Sequence, residues 1–281
     1  MLSVSRILLP VDFSERGSGA ARYAAALACR FHAELTVLHV AWQFGEPIAP
    51  DWIAKYHLHC RKQLEDYGAA ELSRLKVNRV LLSGDPATRI LQCARFEGTD
   101  LIVMPTHGYG PFRRFVLGSV TAKVLHDAEC PVWTGVHMED PTQEEWKGIR
   151  HVICAVEADS SCARVIRWGS EFAKQFCASV TLIHAVPALR AHDEAFFDPD
   201  WRVMLANTAR ERIEAIQHEV GDRSPIYITE GEPAKAVAAA EADLGADLLV
   251  IGRSANTGVL GRLRANAYSI IRESPCPVVS V

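Results

Sequence analysis

The residues of this 281-residue chain whose types and spacing best suit chemistry are a carboxylate, Asp12, and a run of small polar residues, Gly118-Ser119-Val120-Thr121. The run follows an apolar segment, Asp100-Leu-Ile-Val-Met104, and a polar stretch that begins at Pro105. It precedes Ala122-Lys-Val-Leu-His126, where Val120, Val124 and Leu125 share one helical face. That order predicts strand, loop and helix. Gly118-Ser119 then falls at the helix start, where unpaired backbone N–H groups, a Ser cap and the positive end of the helix dipole converge. Such a place binds an anion. Gly108 and Gly118 would let the backbone approach a phosphate without Cβ obstruction, Ser119 and Thr121 add hydroxyl donors, and Arg113 and Arg114 bring charge nearby. This stretch alone leaves open the alternative of an ordinary strand-to-helix connection with Gly at its turns.

The elements that must position these residues are written twice. Arg6-Ile-Leu-Leu-Pro-Val-Asp12 returns as Arg150-His-Val-Ile-Cys-Ala-Val-Glu157, so that Glu157 lies 145 residues beyond Asp12. A helical face of Ala20, Tyr23, Ala24, Leu27 and Phe31 is matched at the same offset by Val165, Trp168, Gly169, Phe172 and Phe176. Leu35-Thr-Val-Leu-His-Val40 is echoed by Val180-Thr-Leu-Ile-His-Ala185. Each copy continues with an aromatic-bearing loop (42–51 and 187–201), a long polar helix near 52–75 and 201–220, and a third strand at 79–82 and 226–229. Gly84-Asp-Pro and Gly231-Glu-Pro then place Pro in the first turn of a helix, where its fixed φ and missing donor are tolerated. Asp100-Leu-Ile-Val and Asp247-Leu-Leu-Val open the fourth strand, and Cys130-Pro-Val and Cys276-Pro-Val open the last. Strand–helix alternation with apolar strands predicts an α/β fold: two doubly wound domains, each a five-stranded parallel sheet with helices on both faces. The expected boundaries are residues 1–136, a Glu-, Asp- and Pro-rich linker at 137–147, and residues 148–281. Ligands of such sheets sit beyond the carboxyl ends of the strands, where the strand order switches.

Composition narrows the classes. With 49% hydrophobic and 23% charged residues the chain reads as a globular protein, and a formal net charge of −4 with pI ≈ 6.3 argues against nucleic acid as a partner. Apolar runs fall short of a membrane span, and Met1–Pro10 is too short in its apolar part for a signal peptide, so a cytoplasmic location is expected. The eight cysteines form no CxxC pair and read as reduced, mostly buried side chains. His57, His59 and Cys60 are the one His/Cys cluster, with the two His on different helix faces, so no structural metal is expected.

On Ile-Leu-Leu-Pro-Val-Asp12, His39-Val40, Gly84-Asp-Pro, Cys130-Pro-Val and the Gly-rich stretch, the chain resembles the universal stress protein family in its tandem two-domain form. The family's signature is Gly, two residues, Gly, nine residues, then Gly-Ser or Gly-Thr. Here Pro105-Thr-His-Gly108 precedes nine residues and Gly118-Ser119, so Pro stands for the first Gly. The resemblance implies an adenine nucleotide, ATP or AMP. Pro10, Val11 and Asp12 would lie near the ribose and any Mg, Val40 and Met104 at the base, and His107, Gly108, Gly118, Ser119, Val120 and Thr121 at the phosphates. Pro105 removes one N–H donor and holds φ negative, so affinity should fall where the family's Gly donates or needs positive φ. The second half departs further, with Gly252-Arg-Ser-Ala255, Ala265-Asn266 and Glu157. Two glycines have become Ala there, which implies a structural half without the family's ligand; Arg253, Arg262 and Arg264 could hold a different anion. The resemblance also implies pairing of the terminal strands, Pro131 onward and Pro277 onward, giving an internal pseudo-dimer, with homodimers of whole chains open.

Enzyme classes find little support, since the chain holds no Gly-Lys-Ser/Thr, GxSxG or HExxH. At most, His107 and Asp12 could position a water for slow ATP turnover. The expected function is a stress-response regulator that binds nucleotide in the first half. The alternatives are a nucleotide-independent scaffold and a small-molecule or lipid binder using the aromatic loops.

Overall fold

The computed structural model describes residues 2–14, 17–44, 49–106, 117–135, 148–159, 161–188, 200–253 and 266–281. Expectations for His107, Gly108, Arg113, Arg114, the 137–147 linker, most of the 187–201 loop, Ala255, Arg262, Arg264 and Ala265 lie outside the described residues. The chain divides into two compact units, with residues 3–146 in one and 147–281 in the other.

The first unit runs β1 (Arg6–Val11), α1 (Gly17–Phe31), β2 (Glu34–Ala41), α2 (Pro50–Asp66), β3 (Val77–Ser83), α3 (Pro86–Glu97), β4 (Leu101–Val103), α4 (Ser119–Asp127) and β5 (Val132–Thr134). All ladders are parallel, in the order β3-β2-β1-β4-β5. Residues Ile7 to Val11 are buried without a break, and since successive side chains point to opposite faces, β1 must be covered on both. On one of those faces α1 buries Ala20, Ala21, Ala24, Leu27 and Ala28, mostly small side chains that let it sit close to the sheet. The strand order reverses at β1, which has β2 on one side and β4 on the other, and a crevice opens at its carboxyl end.

The second unit repeats the plan with β6 (His151–Ala155), α5 (Cys162–Phe176), β7 (Ser179–Val186), α6 (Asp200–Val220), β8 (Ile226–Glu230), α7 (Pro233–Leu244), β9 (Leu248–Ile251), α8 (Ala267–Glu273) and β10 (Val278–Ser280). Its parallel order is β8-β7-β6-β9-β10. Asp100 shows why an acid opens each fourth strand: its carboxylate accepts the N–H groups of Ser5 and Arg6 at 2.7 and 3.0 Å. Asp247 takes those of Arg150 and His151 at 2.8 and 3.0 Å. Each carboxylate thus ties the start of the fourth strand to the start of the first.

One helix is shorter than the sequence pattern suggests. The long helix expected to reach residue 75 ends at Asp66, because Tyr67 is extended (ψ 131°) and Gly68 adopts φ +65°, open to Gly at no steric cost. The chain continues in turns, with Leu72 N–H bonded to Gly68 O at 2.8 Å, and these bury Leu72. Among the described residues no helix is long and apolar enough to cross a membrane.

Candidate functional site

The ladder between β1 and β4 stops at Leu8↔Ile102, and Pro10, two positions on, has no N–H with which to extend it. Beyond this point lies a cleft of about 480 Å³. Pro10, Val11 and Asp12 enter it from the end of β1, Leu38, His39, Val40 and Trp42 from β2 and its exit, and Met104 and Pro105 from the exit of β4. Gly118, Ser119, Val120 and Thr121 enter from the start of α4, and Pro86 and Ile90 from α3. The structure therefore brings together all the described residues named from the sequence for nucleotide binding. His107 and Gly108 lie outside the described residues.

The start of α4 differs in detail from expectation. Gly118, not Ser119, is the capping residue (φ −59°, ψ 140°), and no side chain caps the helix. Gly118 O accepts Ala122 N–H at 2.8 Å, whereas among the described residues the N–H groups of Ser119, Val120 and Thr121 have no acceptor. These are the orphan donors that a helix start presents to an anion. The Thr121 hydroxyl, read from the sequence as a phosphate donor, instead donates to Pro105 O at 3.0 Å. With Gly118 N–H on Thr106 O at 2.9 Å, it draws the two ends of the β4–α4 connection together.

Across the cleft, Asp12 Oδ1 accepts both the N–H (3.0 Å) and the hydroxyl (2.6 Å) of Ser14. Phe13 between them is held at φ +60°, a left-handed conformation uncommon for a bulky residue. Its ring stacks on His39 with centroids 4.1 Å apart. His39 donates Nδ1–H to Val11 O at 2.8 Å, which leaves Nε2 as the acceptor of the neutral ring. Burial pushes the His39 pKa below its ordinary value, against the pull of the Val11 bond and the Asp12 charge. Behind Phe13, the buried Tyr67 hydroxyl has no hydrogen-bond partner among the described residues, and burial together with the Asp12 charge raises its pKa.

Sequence reasoning missed Leu38, His39, Pro86 and Ile90 as lining residues, and offered Trp42 only through the aromatic loop at 42–51. The helical spacing of Pro86 and Ile90 after Gly84-Asp-Pro was the available signal, since four residues return to the same helix face. Among the described residues no group of three His, Cys, Asp or Glu side chains could hold a metal. Asp12 would hold Mg only together with phosphate oxygens and water, the way this ion is usually bound beside nucleotides.

The corresponding cleft of the second unit is smaller, about 290 Å³, lined by Val156, Glu157, His184, Asn266, Ala267 and Ile270 among others. His184 repeats the bond of His39, donating Nδ1–H to Val156 O at 2.8 Å. Asn266 makes no side-chain cap bond to α8. Arg253, considered above for an anion, is only 3% exposed, with its N–H on Val281 O at 2.7 Å.

These features define a duplicated, doubly wound α/β protein with an open cleft at each strand-order switch. The sequence profile of the universal stress protein family matches residues 3–134 and again 148–281, and the chain belongs to that family. A universal stress protein of Thermus aquaticus is 37% identical over 130 residues, which are 45% of this chain and 94% of that protein. One of Methanocaldococcus jannaschii is 29% identical over 140 residues, 45% of this chain and 79% of that protein. The crystal structure of a universal stress protein from Archaeoglobus fulgidus superimposes with a TM-score of 0.73 over 99% of this chain and 98% of its own, at 23% identity. That likeness is one of fold.

Proposed function

We propose that the first unit binds an adenine nucleotide, ATP or AMP, and that the protein is a stress-response regulator whose interactions with other proteins change with occupancy. The observation that carries this reading is the placement of the orphan N–H groups of Ser119, Val120 and Thr121 on the same cleft as the Asp12 carboxylate. Phosphates would lie at the helix start, with Asp12 reaching a ribose hydroxyl or a phosphate-bound Mg. Leu38, Val40, Ile90 and Met104 supply an apolar bed for the base. A volume of about 480 Å³ suits a mononucleotide by the usual range of ligand sites. The second unit is structural in this reading, because its cleft is smaller and carries the longer Glu157.

The test is to denature freshly purified protein, identify released small molecules by mass spectrometry, and titrate ATP with and without magnesium. Co-purified nucleotide, or saturable binding that Gly118→Ala weakens, supports the proposal. An empty protein that binds no adenine nucleotide overturns it. That outcome would favour a second reading, an apolar small-molecule or lipid binder, which rests on Trp42, 64% exposed at the rim of a largely apolar cleft.

A further inference from the structure

The two units also differ at a buried place one helical turn beyond residues that line each cleft, Ile90 in the first and Val237 in the second. In the first, Ala94 of α3 and Ala128, the residue that ends α4, are both buried. Their counterparts in the second unit are Glu241 of α7 and Ser274, the residue that ends α8, again both buried. Cys130-Pro131 and Cys276-Pro277 follow at matching positions and fix the correspondence. Two methyl groups have thus been replaced by a carboxyl and a hydroxyl, and Glu241 is 0% exposed. A lone buried carboxylate would be prohibitive without compensation.

Counting protons shows how the site is satisfied. Ser274 Oγ lies 2.7 Å from Glu241 Oε2 and 2.8 Å from the carbonyl oxygen of Cys276. A carbonyl only accepts, and a hydroxyl has one proton to give. Both short contacts are hydrogen bonds at once only when Glu241 Oε2 carries a proton and donates it to Ser274, which donates onward to Cys276 O. Among the described residues Glu241 Oε1 is buried without a partner, tolerable for a neutral acid and costly for a carboxylate. Among the described residues, the other titratable neighbour of the carboxyl in hydrogen-bond range is the Cys276 thiol, at 3.8 Å.

Charged and titratable groups on the elements packed against α7 offer no compensation. Arg272 and Glu273 of α8 pair with each other at 2.9 Å, and His184 of β7 is bonded to Val156 O. Among the described residues, Tyr227 and Glu230 of β8 give Glu241 no hydrogen bond, and Glu230 pairs with Arg202 at 3.9 Å. Asp247, whose charge reaches Cys276, is committed to the N–H groups of Arg150 and His151.

We infer that Glu241 is a pH-operated latch on the last strand: in its acid form it ties α7 to the Ser274–Pro277 turn that launches β10, and on ionising it releases that turn. Burial raises the Glu241 pKa from an ordinary 4.5 to about 7; the rise is limited because, once ionised, the carboxylate would accept from the Ser274 hydroxyl and the Cys276 thiol. Because the folded value lies above the unfolded one, the latch is fully effective below pH ~4.5 and is lost as pH rises through ~7.

The test is alkylation of Cys276 in the full-length protein by a neutral thiol reagent, read peptide by peptide by mass spectrometry between pH 6 and 8. Glu241→Gln supplies an upper bound on thiolate formation, since an ionised Glu241 beside the thiol disfavours the thiolate. In the wild type, labelling should rise about tenfold more over this range than in Glu241→Gln. The double variant Glu241→Ala with Ser274→Ala, which rebuilds the first unit's own contact, should lose the excess as well. Equal pH profiles in the wild type and either variant would overturn the proposal.

Discussion

Gly169 of α5 lies so close to Cys154 of β6 that a Cβ at position 169 would overlap the Cys154 sulfur. In the first unit the matching helix position holds Ala24, so the missing methyl belongs to this one contact. Gly169→Ala should destabilise the second unit by about 1–3 kcal/mol through overpacking. Adding Cys154→Ala should recover most of that loss, and a double-mutant cycle by denaturant unfolding would show the coupling. Additive effects would mean that the helix shifts away rather than colliding.

The cleft of the first unit gives a graded set of expectations in nucleotide titrations. Gly118→Ala should fold normally, since φ −59° suits any residue, yet bind ATP about tenfold more weakly because a methyl enters the lining. Asp12→Ala should weaken binding chiefly when magnesium is present. Pro105→Gly should tighten it, by up to about tenfold for one restored N–H donor. Unchanged affinity in all of them would place the ligand elsewhere.

Asp85 caps α3 by accepting the N–H of Thr88 at 2.9 Å and its hydroxyl at 2.5 Å. These bonds hold its carboxyl pKa below the ordinary value. Asp85→Ala should cost about 1 kcal/mol, measurable as a lower thermal midpoint. Glu232, the matching residue before α7, makes no such bond, and Glu232→Ala should be close to neutral.

His39 imposes the opposite pH response from Glu241. Its folded pKa lies below its ordinary 6.5, chiefly through burial. The unfolded chain therefore takes up the proton first, and the stability His39 contributes is present above pH ~6.5 and lost as pH falls below it. In His39→Asn, acid unfolding of the first unit should lose this component, as followed by amide exchange of β1 and β2. A profile identical to wild type would count against a buried neutral ring.

Much of this was legible in the chain, for reasons that differ by element. The repeated strands could be read because both faces of β1 and β6 are buried, which forces unbroken apolar runs that survive in both copies. Asp12 and Gly118–Thr121 could be placed at one cleft because strand order alone sends both to the carboxyl edge. Ile90, Leu38 and Trp42 could not, since their part in the lining depends on how α3 and β2 meet across the sheet. The end of α2 hinged on Tyr67 and Gly68, where a single positive φ outweighed a continuing polar pattern. The bond of the Thr121 hydroxyl to Pro105 O, sixteen residues earlier, leaves no local trace in the sequence.

Asp100 and Asp247 have a consequence for how two copies of one plan drift apart. Each fastens the amino-terminal edge of its sheet through a single carboxylate and two backbone N–H groups, independent of any side chain at the far edge. Asp12 and Glu157 therefore follow strands of the same alignment, and the far edge can change without disturbing the architecture. A duplicated chain secured at one edge has room to experiment at the other.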